Sequence, residues 1–272
     1  VTTTPTAAPI LPPDVLGVGR ASVLVTGASG VLGRAVVEEL RASSIPVRAL
    51  VHRTPITDVT SVVGDILTGA GLDEALPGVG AVIHCATDPS NARVDRDGTR
   101  NLLRSLDAWA PGAHLVLPSI VGCWNNPLAY YRTKADTENL AESWSGRASI
   151  VRATQFHTLA HEVVSGAAAR LTGAESRVRV SPVDPEWVAR KLVDVALIRT
   201  SLATPLELAG PETFSLGELS TLTAHLESRR PVRSVRVPTL GGVLRSFARG
   251  TNLPGEEVQR GGRTYAQWLA AR

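Results

Sequence analysis

Short unbroken apolar runs alternate along this chain with longer stretches whose apolar residues recur three and four apart. The runs lie at Ala21–Thr26, Pro46–Val51, Thr60–Val63, Gly80–Ala86, His114–Leu117 and Ser149–Ala153. Runs of that length without polar alternation predict strands covered on both faces, as in parallel sheets. Between them, Val31, Leu32, Ala35, Val36 and Leu40 mark one helix. Leu102, Leu103, Leu106 and Trp109 mark a second over Asp95–Trp109, and a third begins at Ala129. Strands alternating with helices predict an α/β fold, a doubly wound parallel sheet with ligands at the carboxyl ends of its strands. Gly27, Arg53, Asp65, Ala86 and Ser119 fall at such ends.

Past Ala153 the pattern becomes mostly helical. Helices are expected over Leu159–Leu171, Pro185–Leu197, Leu216–Ser228, Leu240–Arg249 and Glu256–Leu269, with short strands at Leu206–Leu208 and Ser234–Val237. Asp184 followed by Pro185 suits a helix cap and its first turn. The expected organisation is a flexible arm at 1–20, a dinucleotide-binding domain at 21–150, and a smaller substrate-binding cap at 151–272 that partly returns to the sheet. The arm is inferred from Pro5, Pro9, Pro12 and Pro13 in a stretch without periodicity.

Gly27, Gly30 and Gly33 are spaced G-x-x-G-x-x-G at the junction of the first strand and helix. Gly27 suits the tight turn, Gly30 a close ligand approach, and Gly33 the packing of helix on strand. The helix N-terminus then aims free N–H groups at a pyrophosphate. An acidic residue about 20 positions past the glycines would select NAD through the ribose 2′-OH. Arg53 stands there instead. A guanidinium suits a 2′-phosphate, so the expected cofactor is NADP(H).

Charge and composition narrow the classes. The net charge is +3, and the basic residues are scattered with few aromatics among them (4%), which argues against nucleic acid. Cys85 and Cys123 form neither a disulfide framework nor a metal spacing. No run of 18 or more apolar residues and no basic-then-apolar leader is present, so the expectation is no membrane span and a cytoplasmic protein acting on a small molecule.

Tyr130 and Lys134 lie four apart at the start of the third helix and share a face. A phenol titrates near 10, and a nearby ammonium favours its ionised form. With a hydroxyl from Ser119 upstream to orient a carbonyl and stabilise charge on its oxygen, the three make an acid–base site. Gln155, Phe156 and His157 follow the sixth strand and should face the cleft. Thr87, Cys123, Trp124 and Val183 are expected to line or border the same pocket, with Trp124 and Phe156 as its apolar walls.

These residues resemble the short-chain dehydrogenase/reductase family, specifically its extended and atypical branch, which includes NmrA-like proteins. The resemblance rests on Thr26-Gly27-Ala28-Ser29-Gly30-Val31-Leu32-Gly33, Gly64-Asp65-Ile66, Asp97-Gly98-Thr99-Arg100-Asn101-Leu102-Leu103, Ser119 and Tyr130-x-x-x-Lys134. Val151–His157 and Leu208–Glu212 are also similar to that branch. The resemblance implies a Rossmann sheet, Asp65 beside the adenine, Tyr130 as the acid–base, Lys134 on the nicotinamide ribose and Ser119 on the carbonyl. The expected cofactor cradle is Thr26, Gly27, Ser29, Gly30, Val31, Leu32, Gly33, Arg53, Asp65, Ile66, Ala86, Thr87 and Lys134. The expected substrate contacts are Trp124, Gln155, Phe156 and His157. No metal is expected.

The function expected on these grounds is an NADP(H)-dependent oxidoreductase. Hydride would pass between nicotinamide and a carbonyl or alcohol carbon of a small organic substrate, with Tyr130 moving the proton. Two alternatives remain open from sequence: a redox-neutral enzyme of epimerase or dehydratase type that holds its cofactor tightly, and a non-catalytic NADP(H)-sensing protein.

Overall fold

A computed structural model describes residues 21–165, 178–229 and 241–272. The first half runs β1 (Ser22–Thr26), α1 (Val31–Ala42), β2 (Val47–Val51), β3 (Thr60–Val63), α2 (Leu72–Ala75), β4 (Val79–His84) and α3 (Ala92–Trp109). It continues through β5 (His114–Ile120), a 3₁₀ turn at Cys123–Asn125, α4 (Ala129–Ser143) and β6 (Arg147–Ala153). The second half adds α5 (His157–Ser165), β7 (Arg179–Val180), α6 (Pro185–Leu197), β8 (Leu206–Ala209), β9 (Phe214–Ser215) and α7 (Leu216–Leu226). It closes with α8 (Gly242–Ala248), β10 (Gln259–Arg260) and α9 (Tyr265–Ala270).

Eight strands form one sheet in the order β10-β8-β6-β5-β4-β1-β2-β3. Every pairing within it is parallel. The chain winds outward from β1 to β3, then returns to place β4 on the other side of β1. Thr26 pairs with Leu50 on one side and His84 on the other. A crevice opens at such a reversal, at the carboxyl ends of the strands. Within β1 the side chains sort by parity. Val23 and Val25 join Val36 and Leu40 of α1 and Leu192 of α6 on one face. Leu24 joins Leu102 and Leu106 of α3 on the other. Both faces are therefore covered, which is why the strands read as unbroken apolar runs.

The cap has its own apolar cluster, in which Val180, Leu216, Leu219, Tyr265 and Trp268 pack together. Asp184 caps α6 by accepting from Glu186 N, with Pro185 in the first turn, and the helix spans the predicted residues. Ser215 and Glu218 form a reciprocal capping box on α7.

The second half departs from the sequence pattern in several places. The helix expected over Glu256–Leu269 is instead a strand, β10, followed by the short α9. Gly261 and Gly262 separate the two. Gly262 has φ +84°, and a Cβ on Gly261 would stand 2.6 Å from the Trp187 ring. β10 then lies against the edge of β8. α7 stops at Leu226, since Ser228 takes a positive φ of 52°. α5 is described to Ser165, so Leu159–Leu171 is only partly covered. The expected arm at 1–20 and strand at Ser234–Val237 lie outside the described residues. No helix among the described residues is long and apolar enough to cross a membrane.

Candidate active site

The turn from β1 to α1 is built by its glycines. Gly27 has φ +62°, and a Cβ there would stand 2.5 Å from Ala86 N. A Cβ on Gly33 would stand 2.2 Å from Gly27 O, so only glycine lets α1 sit this close to the turn. Gly30 differs, because a Cβ would meet only Gly27 O at 3.3 Å and otherwise face open space. No side chain caps α1 and its first turn carries no acid. The N–H groups at that end are therefore free to receive an anion, and a phosphate fits the cradle. Ser29, Gly30 and Val31 are exposed there, and Leu32 is half-buried.

Beneath the turn, Thr26 and its neighbour strand are locked by His84. The His84 ring bonds Thr26 Oγ1 at 2.7 Å and Thr99 Oγ1 at 3.2 Å, and Thr26 Oγ1 accepts from Ala86 N. Burial, then the nearby Lys134 ammonium, pushes the His84 pKa down to about 4, so the ring is neutral at pH 7. The Asp97–Leu103 motif acts from α3. Asn101 Nδ2 donates to Ile66 O and Leu67 O, and Gly98 lies close under Ile66. Asp65 accepts from Leu67 N and stands 3.9 Å from His52. Arg53, just past β2, is exposed and makes no ion pair among the described residues.

Tyr130 and Lys134 sit one turn apart on α4. The Tyr130 hydroxyl lies 2.9 Å from Thr87 Oγ1, which in turn donates to Asp95 Oδ1 at 2.7 Å. Lys134 Nζ donates to the same Asp95 oxygen at 3.4 Å. Asp88 N donates to the other, at 3.1 Å. Asp95 and Lys134 are buried, whereas Thr87 is exposed and Tyr130 half-buried. The four side chains form one network reaching from the core to the cleft. Asp95 was legible in sequence only as the start of a helix. Its role depends on contacts to Thr87 and Lys134, 8 and 39 positions away in sequence.

Ser119 is placed differently. It lies within β5, paired with Arg152 of β6, and its hydroxyl donates to Cys123 Sγ at 3.8 Å. Its single proton is thus taken, and Glu138 is reached only through Cys123. No hydrogen bond joins Ser119 to Tyr130 among the described residues. Glu138 is the hub of this second cluster, fully buried and held by the Arg152 fork at 3.0 and 2.7 Å. It also accepts from Cys123 Sγ and Trp124 Nε1. Burial alone would raise the Glu138 carboxyl, but the hydrogen bonds it accepts, those from Arg152 foremost, outweigh it and hold it below the usual range. Burial beside Glu138 pushes the Cys123 thiol up to about 12, which makes it an inert packing group.

The C-terminal stretch, which carries no readable motif, closes over this end. Phe247 of α8 stacks edge-on against Tyr131 at 5.7 Å. Ser246 Oγ donates to Asn125 O, and Asn126 Nδ2 to Thr251 Oγ1. Gln155 Nε2 reaches Tyr131 Oη and Asn252 O, both at 3.4 Å. Trp124 is 47% exposed, Gln155 and Phe156 are half-buried, and Phe156 packs against the core through its bridge to Val183. Cys123, Val183 and His157, expected along the pocket, are buried instead. His157 opens α5 on its inward face, between Tyr265 and Trp268, and donates to Arg263 O at 3.0 Å. Burial lowers its pKa, so it packs as a neutral ring.

A profile of the NAD(P)H-binding family matches residues 27–195. The chain is 28% identical over 261 residues to the ceramide reductase of Caulobacter vibrioides (strain NA1000 / CB15N), covering 86% of this chain and 81% of that one. Its fold is similar to the NADPH-dependent quinone oxidoreductase of Escherichia coli, solved with NADPH, at a TM-score of 0.75 and 17% identity over 92% of this chain and 99% of that one. It is also similar to a short-chain dehydrogenase/reductase superfamily protein from Agrobacterium tumefaciens with bound NAD, at a TM-score of 0.68 and 22% identity over 92% and 95% of the two chains.

Proposed function

We propose that this chain, which belongs to the NAD(P)H-binding family, is an NADP(H)-dependent oxidoreductase of the short-chain dehydrogenase/reductase type acting on a carbonyl or alcohol of a small organic substrate. The observation that carries this reading is the joining of Tyr130 and Lys134, through Thr87 and Asp95, at the carboxyl ends of the strands beside the open glycine turn. When bound, the nicotinamide supplies or accepts the hydride. Gly30 and the uncapped end of α1 would hold the pyrophosphate, with Asp65 and Ile66 beside the adenine. Arg53 would meet a 2′-phosphate, and Lys134 the nicotinamide ribose. Tyr130 holds the proton that passes to or from the substrate oxygen. Thr87 borders that oxygen through its bond to Tyr130, whereas the Ser119 hydroxyl is turned to Cys123. Trp124, Gln155 and Phe156 border the substrate, and the name of the ceramide reductase relative puts lipid amides on the panel to test.

The experiment is a panel of carbonyl compounds and their alcohols, ceramide included, incubated with stoichiometric NADPH or NADP. The reading expects cofactor conversion in step with product. A substrate that is epimerised or dehydrated while the total NADPH stays constant would overturn it in favour of redox-neutral chemistry.

A further inference from the structure

We propose that Asp95 is a positioning residue for Tyr130, acting through Thr87 to fix the direction in which the phenol O–H points. This rests on the reading of Tyr130 as the acid–base. Asp95, paired with the Lys134 ammonium and accepting from Asp88 N, is a carboxylate and only accepts. The 2.7 Å bond to Thr87 is therefore donated by the threonine. Threonine has one proton, so the 2.9 Å bond between Thr87 and Tyr130 is donated by the tyrosine. The resting chain runs one way, Tyr130 O–H to Thr87 O–H to Asp95.

Two consequences follow for the cleft. The phenol oxygen presents its lone pairs outward, so a substrate alcohol donates to it without rearrangement. A carbonyl must first draw the Tyr130 proton away from Thr87. Asp95 also holds Lys134 in place, since the residue is 6% exposed and its ammonium has the carboxylate as its partner. Other titratable neighbours are His84, neutral at pH 7, Cys85, whose thiol burial pushes up to about 12, and Tyr131, whose hydroxyl receives Gln155. None of these three bonds Thr87 among the described residues.

The test needs no cofactor. Tyrosine ring vibrations distinguish a phenol that donates a hydrogen bond from one that accepts. The chain has three tyrosines, so a Raman difference spectrum against Tyr130→Phe isolates the signal of Tyr130. The expected result is a donor signature in the cofactor-free protein, lost in Thr87→Val and restored in Thr87→Ser. Asp95→Asn leaves Lys134 buried without its counter-charge and so threatens the fold, whereas Thr87 is exposed and its variants keep the test open. In turnover, Thr87→Val should lower kcat by roughly tenfold, the scale of one lost hydrogen bond, with little change in the KM for cofactor. Thr87→Ser should recover most of that loss. An unchanged Tyr130 signature in Thr87→Val, or an acceptor signature in the parent protein, would overturn the proposal. The spectrum decides the orientation, whereas the turnover of Tyr130→Phe decides whether the tyrosine is the acid–base, so the two failures are separable.

Discussion

The proposed preference for NADP(H) rests on a single position, Arg53. It is exposed, stands past the carboxyl end of β2, and has no ion-pair partner among the described residues. Its charge is thus available to a 2′-phosphate. NADPH should bind more tightly than NADH, and Arg53→Ala should narrow the gap by about 1.5–3 kcal/mol, the range for hydrogen bonds to charged groups. Calorimetric titration of both cofactors checks this, and equal dissociation constants in the parent protein would contradict it. Tyr131 supplies the control for its neighbour. Its hydroxyl is buried against Gln155 and its ring against Phe247, and burial pushes it up to about 12. Tyr131→Phe should therefore leave the pH dependence of turnover unchanged.

At the scale of elements, α4 ties two clusters together along its length. Its first two turns bring Tyr130 and Lys134 to Thr87 and Asp95. Further along, Glu138 anchors the Cys123–Asn125 turn and β6 through Trp124 and Arg152. Glu138→Ala leaves Arg152 without its bidentate partner and should cost about 3–5 kcal/mol of stability in denaturant unfolding. The carboxyl is held below its unfolded value, so its contribution is present above the usual carboxylate range and lost as pH falls through the lower folded value. The same helix shows what sequence carries. Tyr130 and Lys134 were readable because i and i+4 on a helix always share a face. The winding of β1 to β6 was readable because covered strands, all of these but the exposed edge strand β3, leave unbroken apolar runs. Asp95 and Glu138 were not, because each acquires its partners from other elements. Ser119 looked free for the same reason: nothing local in β5 shows that Cys123 takes its hydroxyl proton.

At the scale of the whole molecule, the C-terminal stretch completes both the sheet and the cleft. β10 extends the sheet edge, and α8 with Thr251 and Asn252 covers Tyr131 and Gln155. A strand two residues long has no periodicity to detect, and its pairing with β8 crosses some fifty positions, so the apolar pattern there reads as helix. Global stability should also respond to acid through the buried histidines. His84 and His114 are both pushed down to about 4 by burial, so between about pH 6.5 and 4 the unfolded chain binds protons that the folded chain does not. Stability therefore falls as pH drops through that window, by up to about 3 kcal/mol per histidine. Urea unfolding at a series of pH values checks the slope, and stability that stays level or rises on acidification across the window would contradict it.

The proposed reaction rests on Tyr130 moving the proton, and the most direct measurement is the turnover of Tyr130→Phe on a substrate the parent protein converts, with NADPH binding measured on the same sample. The expected result is a loss of roughly 10²–10⁴ in turnover with NADPH affinity nearly intact, the scale of general acid–base catalysis. Full turnover in Tyr130→Phe would contradict the account.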